Sequence, residues 1–224
     1  MKFTFIAHVR QTDKCPQSVQ THLIETSELA KIFARKLNLE PVGELLGLMH
    51  DFGKYSRKFQ KYIHDETSLF NPDLDDEEST PNGSKVDHST AGAQWVYREL
   101  RKFGAEQGIG ELFGQMLGLC IASHHGEGLI DCLDGEGNPK WIERFNKTDE
   151  LTHLAECERN ADEAVQQKAR ELTGENLIRS LLKAVKPILS DSTANDKIKE
   201  FYLGCLTRFL FSCLIDADRI NSSD

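Results

Sequence analysis

Apolar residues recur along this chain at steps of three and four, the period of one buried face of an α-helix. Val19, Leu23, Ala30, Phe33 and Leu37 form one stripe, with Ser18 placed as an N-cap. Val42, Leu45, Leu46 and Met49 form a second. Ser89 opens a third, carrying Ala93, Val96, Tyr97 and Leu100. Ile109, Leu112, Phe113, Met116, Leu117, Cys120 and Ile121 fit a helix at every step, and so do Leu177, Leu181, Val185 and Leu189. The last stripe runs from Ile198 through Phe201, Tyr202, Cys205, Leu206, Phe209 and Leu210 to Cys213. Residues 147–172 are charged with sparse apolar positions, which predicts a more exposed helix. Only Phe3–Val9 has the look of extended chain. The pattern predicts an all-α fold.

Two stretches interrupt it. Asp65–Lys85 holds Pro72, Pro81 and Asn82-Gly83-Ser84 beside an acidic run, and is expected to be a long, mobile polar loop. Gly126–Trp141 is rich in glycine and contains Pro139. Neither is flanked by a self-sufficient segment, so residues 1–224 are expected to form one domain. Net charge is 27 − 36 = −9, which at first argues against a nucleic-acid partner. From Asp65 to Asp87, however, eight acids face the single base Lys85, a local −7, and the remainder is only −2. Six cysteines without a C-x-x-C pair exclude a zinc ribbon or a thioredoxin motif, and point to a reducing, cytoplasmic compartment. No apolar run approaches the roughly 18 residues of a membrane span, and the N-terminus does not resemble a signal peptide.

Several apolar stripes end in residues that do not belong in a core. Leu46 and Met49 lead to His50, with Asp51 adjacent. Met116, Cys120 and Ile121 lead to His124, with His125 beside it. Phe209 and Cys213 lead to Asp216. Each has an ordinary reading alone: His50 as a hydrogen-bonded core histidine, Asp216 as a helix-end ion pair with Arg219. A buried carboxylate costs several kcal/mol unless it is paired or binds a metal. Three helices that each end an apolar face in a metal-ligand residue type point to faces converging on one inorganic centre.

His22, His50-Asp51 and Asp216 follow the H…HD…D pattern of the HD-domain metal-dependent phosphohydrolases. Around them stand Ala7-His8, Gly47-Leu48-Met49-His50-Asp51-Phe52-Gly53-Lys54, Phe59-Gln60, Asp87-His88-Ser89, Ala122-Ser123-His124-His125-Gly126 and Leu214-Ile215-Asp216-Ala217-Asp218-Arg219, in that order. Together these words resemble the HD nuclease domain of the helicase-nuclease of type I CRISPR systems, over roughly residues 5–220. Tandem His124-His125 and the Asp-His-Ser word set it apart from nucleotide-cleaving HD enzymes. The superfamily-2 helicase that usually follows this domain is missing. At the nearest phosphate-loop lookalike, Leu48 replaces the first glycine and Tyr55 the Ser/Thr. The chain is therefore expected to be an excised domain or a stand-alone subunit.

The resemblance implies an HD-domain helical bundle around a metal centre. It implies a first ion on His22, His50, Asp51 and Asp216, and a second on His88, His124 and His125, with Asp51 bridging. Two divalent ions sharing one carboxylate would activate a hydroxide for attack on a phosphodiester. Five imidazoles and two carboxylates favour manganese, iron, nickel or cobalt over magnesium. Asp51 and Lys54 are the catalytic candidates. Lys54, three residues after Asp51, would stabilise charge on the phosphate, or else is a solvated lysine. Lys54, Arg57, Lys58 and Lys61 fall on one helical stripe with Tyr55, Phe59 and Tyr62 nearby, suited to single-stranded nucleic acid or simply to solvent. Ser89 orients a ligand or phosphate, or caps a helix. The expected activity is metal-dependent cutting of single-stranded DNA, and of RNA in addition, in CRISPR interference. The expected partners are a superfamily-2 helicase, fused or separate, and a CRISPR RNA-guided surveillance complex, with no membrane. An HD phosphohydrolase acting on a nucleotide or cyclic nucleotide, and an inert HD-fold binding module, are the competing readings.

Overall fold

The computed structural model describes residues 4–10, 12–67, 86–103, 108–126, 128–129, 136, 138 and 140–223. The expected acidic loop falls largely at 68–85, outside the described residues. Its first residues, Asp65 and Glu66, belong to a helix instead.

Eleven α-helices and one small sheet make up the described residues. Strand β1 (Ile6–Val9) pairs antiparallel with β2 (Pro16–Ser18), so the extended start predicted from Phe3–Val9 has a partner that its short polar sequence concealed. Helix α1 (Val19–Ala34) starts where the Ser18 side chain accepts from the Thr21 N–H, as expected of an N-cap. It continues into a 3-10 turn that ends at Asn38 in the left-handed conformation. Helix α2 (Glu40–Met49) is buried from Val42 to Met49 on every face, and so lies at the centre of the bundle. It contacts α1, α5 (Ile109–Ser123), α9 (Glu163–Leu172), α10 (Glu175–Leu189) and α11 (Asp196–Ser222).

The α1–α2 contact is close because Gly47 has no side chain. A Cβ there would lie 2.6 Å from the Ser27 Cα and from the Thr26 carbonyl oxygen. This approach brings His22 of α1 to the end of α2, where His50 caps the helix. Helix α3 (Arg57–Thr67) follows a 3-10 turn over Phe52–Tyr55, and α4 (Ser89–Leu100) pairs with α5.

Residues 147–172 are not one helix. Three short ones, α7 (Asp149–Thr152), α8 (Leu154–Asn160) and α9, follow α6 (Lys140–Phe145). The first break is at His153, whose φ is +54°, and the second at Ala161. Nor is the segment peripheral: Cys157, Ala161, Val165 and Ala169, spaced by four, all join the main core. Sparse apolar residues suffice when they share one face. No described helix is long and apolar enough to cross a membrane.

Candidate metal centre

Four helix ends converge, among them those of the α2 and α5 stripes that lead to His50 and His124. His22 comes from the first turn of α1, His50 from the end of α2, and Asp51 from the turn after it. His88 precedes α4, and His124 and His125 close α5. His22, His50, Asp51 and His124 are buried, His88 is partly buried and His125 is exposed.

Asp51 lies between two sets of ligand atoms, and its two oxygens divide the work. Oδ2 is 3.1 Å from His22 Nε2 and 3.3 Å from His50 Nε2. Oδ1 is 3.0 Å from His124 Nε2, 3.3 Å from His125 Nε2 and 3.4 Å from His88 Nε2. His22 Nε2 and His50 Nε2 are themselves 3.1 Å apart. A transition metal bound at about 2.0–2.2 Å holds adjacent ligand atoms about 3.0–3.4 Å apart, so these spacings fit an ion within each set.

The second-nitrogen contacts agree. His50 Nδ1 donates to the Gly47 carbonyl at 2.8 Å, His88 Nδ1 to Val86 at 2.8 Å, and His124 Nδ1 to Ile121 at 2.7 Å. His22 Nδ1 donates to Asn221 Oδ1 at 2.7 Å. Carbonyl oxygens only accept, so each Nδ1 carries a proton and each Nε2 turns toward Asp51. Nε2 atoms gathered this closely repel one another unless a cation or proton lies among them. The donor set therefore suits a divalent ion.

The electrostatics divide the rings, with His50 the one that takes a proton where no ion lies among them. Burial pushes the pKa of His22 and of His124 down, and that of His88 down to about 3, which keeps these rings neutral and able to coordinate. At His50, burial is outweighed by the Asp51 and Asp218 carboxylates, and its pKa rises to about 10. Burial works against ionisation of Asp51, but Lys54 and His50 hold its carboxyl well below the usual range. Lys54 Nζ lies 2.7 Å from Asp51 Oδ2.

Asp216 does not reach this cluster. It is exposed on α11, whereas Asp218 places Oδ1 3.4 Å from His50 Nε2 and 3.5 Å from His22 Nε2. The inward stripe of α11 is Leu206, Leu210, Cys213, Leu214 and Ala217. Asp218 lies one turn beyond Leu214, but Asp216 is rotated about 200° from it. The two four-residue groupings are therefore His22, His50, Asp51 and Asp218, and Asp51, His88, His124 and His125.

The expected basic track is also different. Lys54 is in the 3-10 turn rather than on α3, and Lys61 is buried, its Nζ without a hydrogen-bond partner among the described residues. Arg57 and Lys58 are exposed. Ser89 is buried, 3.4 Å from the Ala122 carbonyl through Oγ. It does not cap α4. Asp87 does, accepting from the Thr90 N–H at 3.1 Å and the Thr90 hydroxyl at 2.7 Å. Gly53 ties the metal turn to His88: its N–H donates to the His88 carbonyl at 3.0 Å, and a Cβ there would meet that oxygen at 2.3 Å. Beside His88 and His125 opens a cavity of about 470 Å³, lined also by Tyr62, Ser89, Arg144 and Lys147. Asp87 stands in the Asp-His-Ser word without a role assigned there, and Asn221, Arg144 and Lys147 carry no motif of their own. Only the distance from Asn221 back to Ala217, one helical turn along the inward face, could have drawn attention to one of them.

The family model described as "Cas3, HD domain" matches residues 6–205. No curated protein matches the chain.

Proposed function

We propose, from the premise that the chain belongs to the Cas3 HD-domain family, a CRISPR-associated family of metal-dependent HD nucleases, that it cuts single-stranded DNA at a two-ion centre. The observation that carries this reading is the divided carboxylate of Asp51, one oxygen toward His22 and His50, the other toward His88, His124 and His125. Asp218 completes the first set. Divalent ions held there would supply Lewis-acid activation of a water and neutralise charge on a phosphodiester. The protein's own groups do the rest. The Nδ1 hydrogen bonds fix the rings, Asp51 holds the two sets in register, and Lys54 stands beside Asp51 as a cation for the non-bridging phosphate oxygens. Imidazole-rich sets favour manganese, iron, nickel or cobalt over magnesium.

Access favours a flexible strand. Asp51, His22, His50 and His124 are buried at the junction of helices, and the cavity beside His88 and His125, about 470 Å³ in volume, is too small to seat a duplex. Circular single-stranded DNA with manganese is expected to be cut without ATP by the wild type and not by Asp51→Ala, with blunt duplex largely spared. Duplex cut as fast as single strand would remove the access argument. Hydrolysis confined to free nucleotides would replace this reading with a nucleotide phosphohydrolase.

A further inference from the structure

The cavity beside the His88–His125 side of the centre has more positive charge than the pairing around it absorbs. Lys147 is paired with the Asp87 carboxylate, which also caps α4. Arg144 is different. Its Nη1 donates to the Ala122 carbonyl at 3.2 Å and to Ser89 Oγ at 3.4 Å, both neutral acceptors. Among the described residues no carboxylate pairs with it. A guanidinium has five N–H donors, so several remain for a ligand. The cavity therefore holds two cations against one carboxylate, and its volume of about 470 Å³ suits one nucleotide-sized group. Tyr62 lines it with a partly buried ring, 6.0 Å from the Phe59 ring, which in turn lies 4.8 Å from His88. By contrast, Lys54 in the 3-10 turn lies against Asp51, Lys61 on α3 is buried, and none of Lys54, Arg57 and Lys58 lines this cavity.

We propose that this cavity is the nucleotide site next to the scissile bond. Arg144, steadied by Ala122 and Ser89, binds the phosphate adjoining the one that is cut, Lys147 adds charge, and Tyr62 stacks the base of a DNA single strand. The assignment rests on the single-strand nuclease reading above and adds the groups that hold the strand. Phosphate contact and base stacking together are sequence-tolerant, and they exclude a paired base, whose faces are already covered.

The test is fluorescence anisotropy of a short phosphorothioate oligothymidylate, titrated with salt, on the whole chain loaded with manganese. R144Q is expected to bind about tenfold more weakly, with a log–log salt slope shallower by about 0.7, the loss of one phosphate contact on a single strand. R144K, which keeps the charge but not the fork, is expected to keep the slope and recover part of the affinity. Both variants should hold as much manganese as the wild type, and R144Q losing metal together with binding would overturn the assignment. A strand carrying 5-iododeoxyuridine is expected to photocross-link to Tyr62. Wild-type affinity and slope in both variants, or cross-links confined to the Arg57–Lys58 surface, would overturn the site while leaving the nuclease reading intact. A wild type that binds no strand would overturn both.

Discussion

At the scale of single residues, the centre turns on which atoms face Asp51. Asp218→Ala is expected to remove the first ion with little effect on the second, and Asp216→Ala to leave metal content unchanged. Asp51→Ala should empty both sets. Elemental analysis of the three purified variants checks this, and metal loss in Asp216→Ala equal to that in Asp218→Ala would refute the ligand geometry. In the same assay Asn221→Ala should weaken the first ion by about 10–100-fold, the usual effect of removing a ligand's outer hydrogen bond. His50, Asp51, His124 and His125 were legible because imidazoles and a carboxylate at the ends of apolar stripes are costly without a purpose, whereas His22 and His88 were pointed to by the family resemblance alone. Asp216 and Asp218 were not separable that way. They lie two residues apart, and only the rotation of α11, fixed by Leu210, Leu214 and Ala217 against the core, decides which one points inward.

Among elements, α4 shows how a cap doubles as scaffolding. Burial alone would raise the Asp87 pKa, but Lys147 and the Thr90 N–H and hydroxyl hold it down at about 2. A folded-state carboxyl below its unfolded value adds stability above the unfolded pKa and loses it as pH falls through the folded one. Asp87→Ala is therefore expected to cost roughly 2 kcal/mol near neutrality. The gap from wild type should close between about pH 4 and pH 2, as read by urea denaturation. A gap that persists unchanged at pH 2 would mean that Asp87 acts by packing rather than by charge. Helices with dense stripes were plain in the sequence. The segment 147–172 was not, since its left-handed break at His153 has no glycine to announce it. The basic track on α3 failed for a related reason. Spacing alone aligned Lys54 with Arg57, Lys58 and Lys61, but the chain around Lys54 is a 3-10 turn of different pitch.

For the whole molecule, metal and fold are linked. A divalent ion held by these groupings would bind only the folded arrangement of residues at or beside the ends of α1, α2, α4, α5 and α11, which lie from 22 to 218 along the sequence. Chelation is therefore expected to lower the melting temperature, and manganese to restore it in proportion to the logarithm of its concentration. A melting temperature indifferent to both would place the ions on a surface that folding does not need. The overall charge of −9 says little about substrate, because charge acts locally: Arg144 and Lys147 line the cavity beside the single acid Asp87. The all-α class could be read from periodicity, but the pairing of β1 with β2 could not, as Pro16-Gln17-Ser18 has none of the branched residues that mark a strand.

The hydrogen bonds on the outer side of the histidines divide into two kinds, with a consequence for descent. His50, His88 and His124 donate to main-chain carbonyls, which no point mutation deletes. Their ring orientation is inherited with the path of the backbone. His22 donates to a side chain, Asn221. A lineage that drifts at that one codon can retune the ring of His22 in the first grouping, while the tautomers of His88 and His124 in the second remain as the fold dictates.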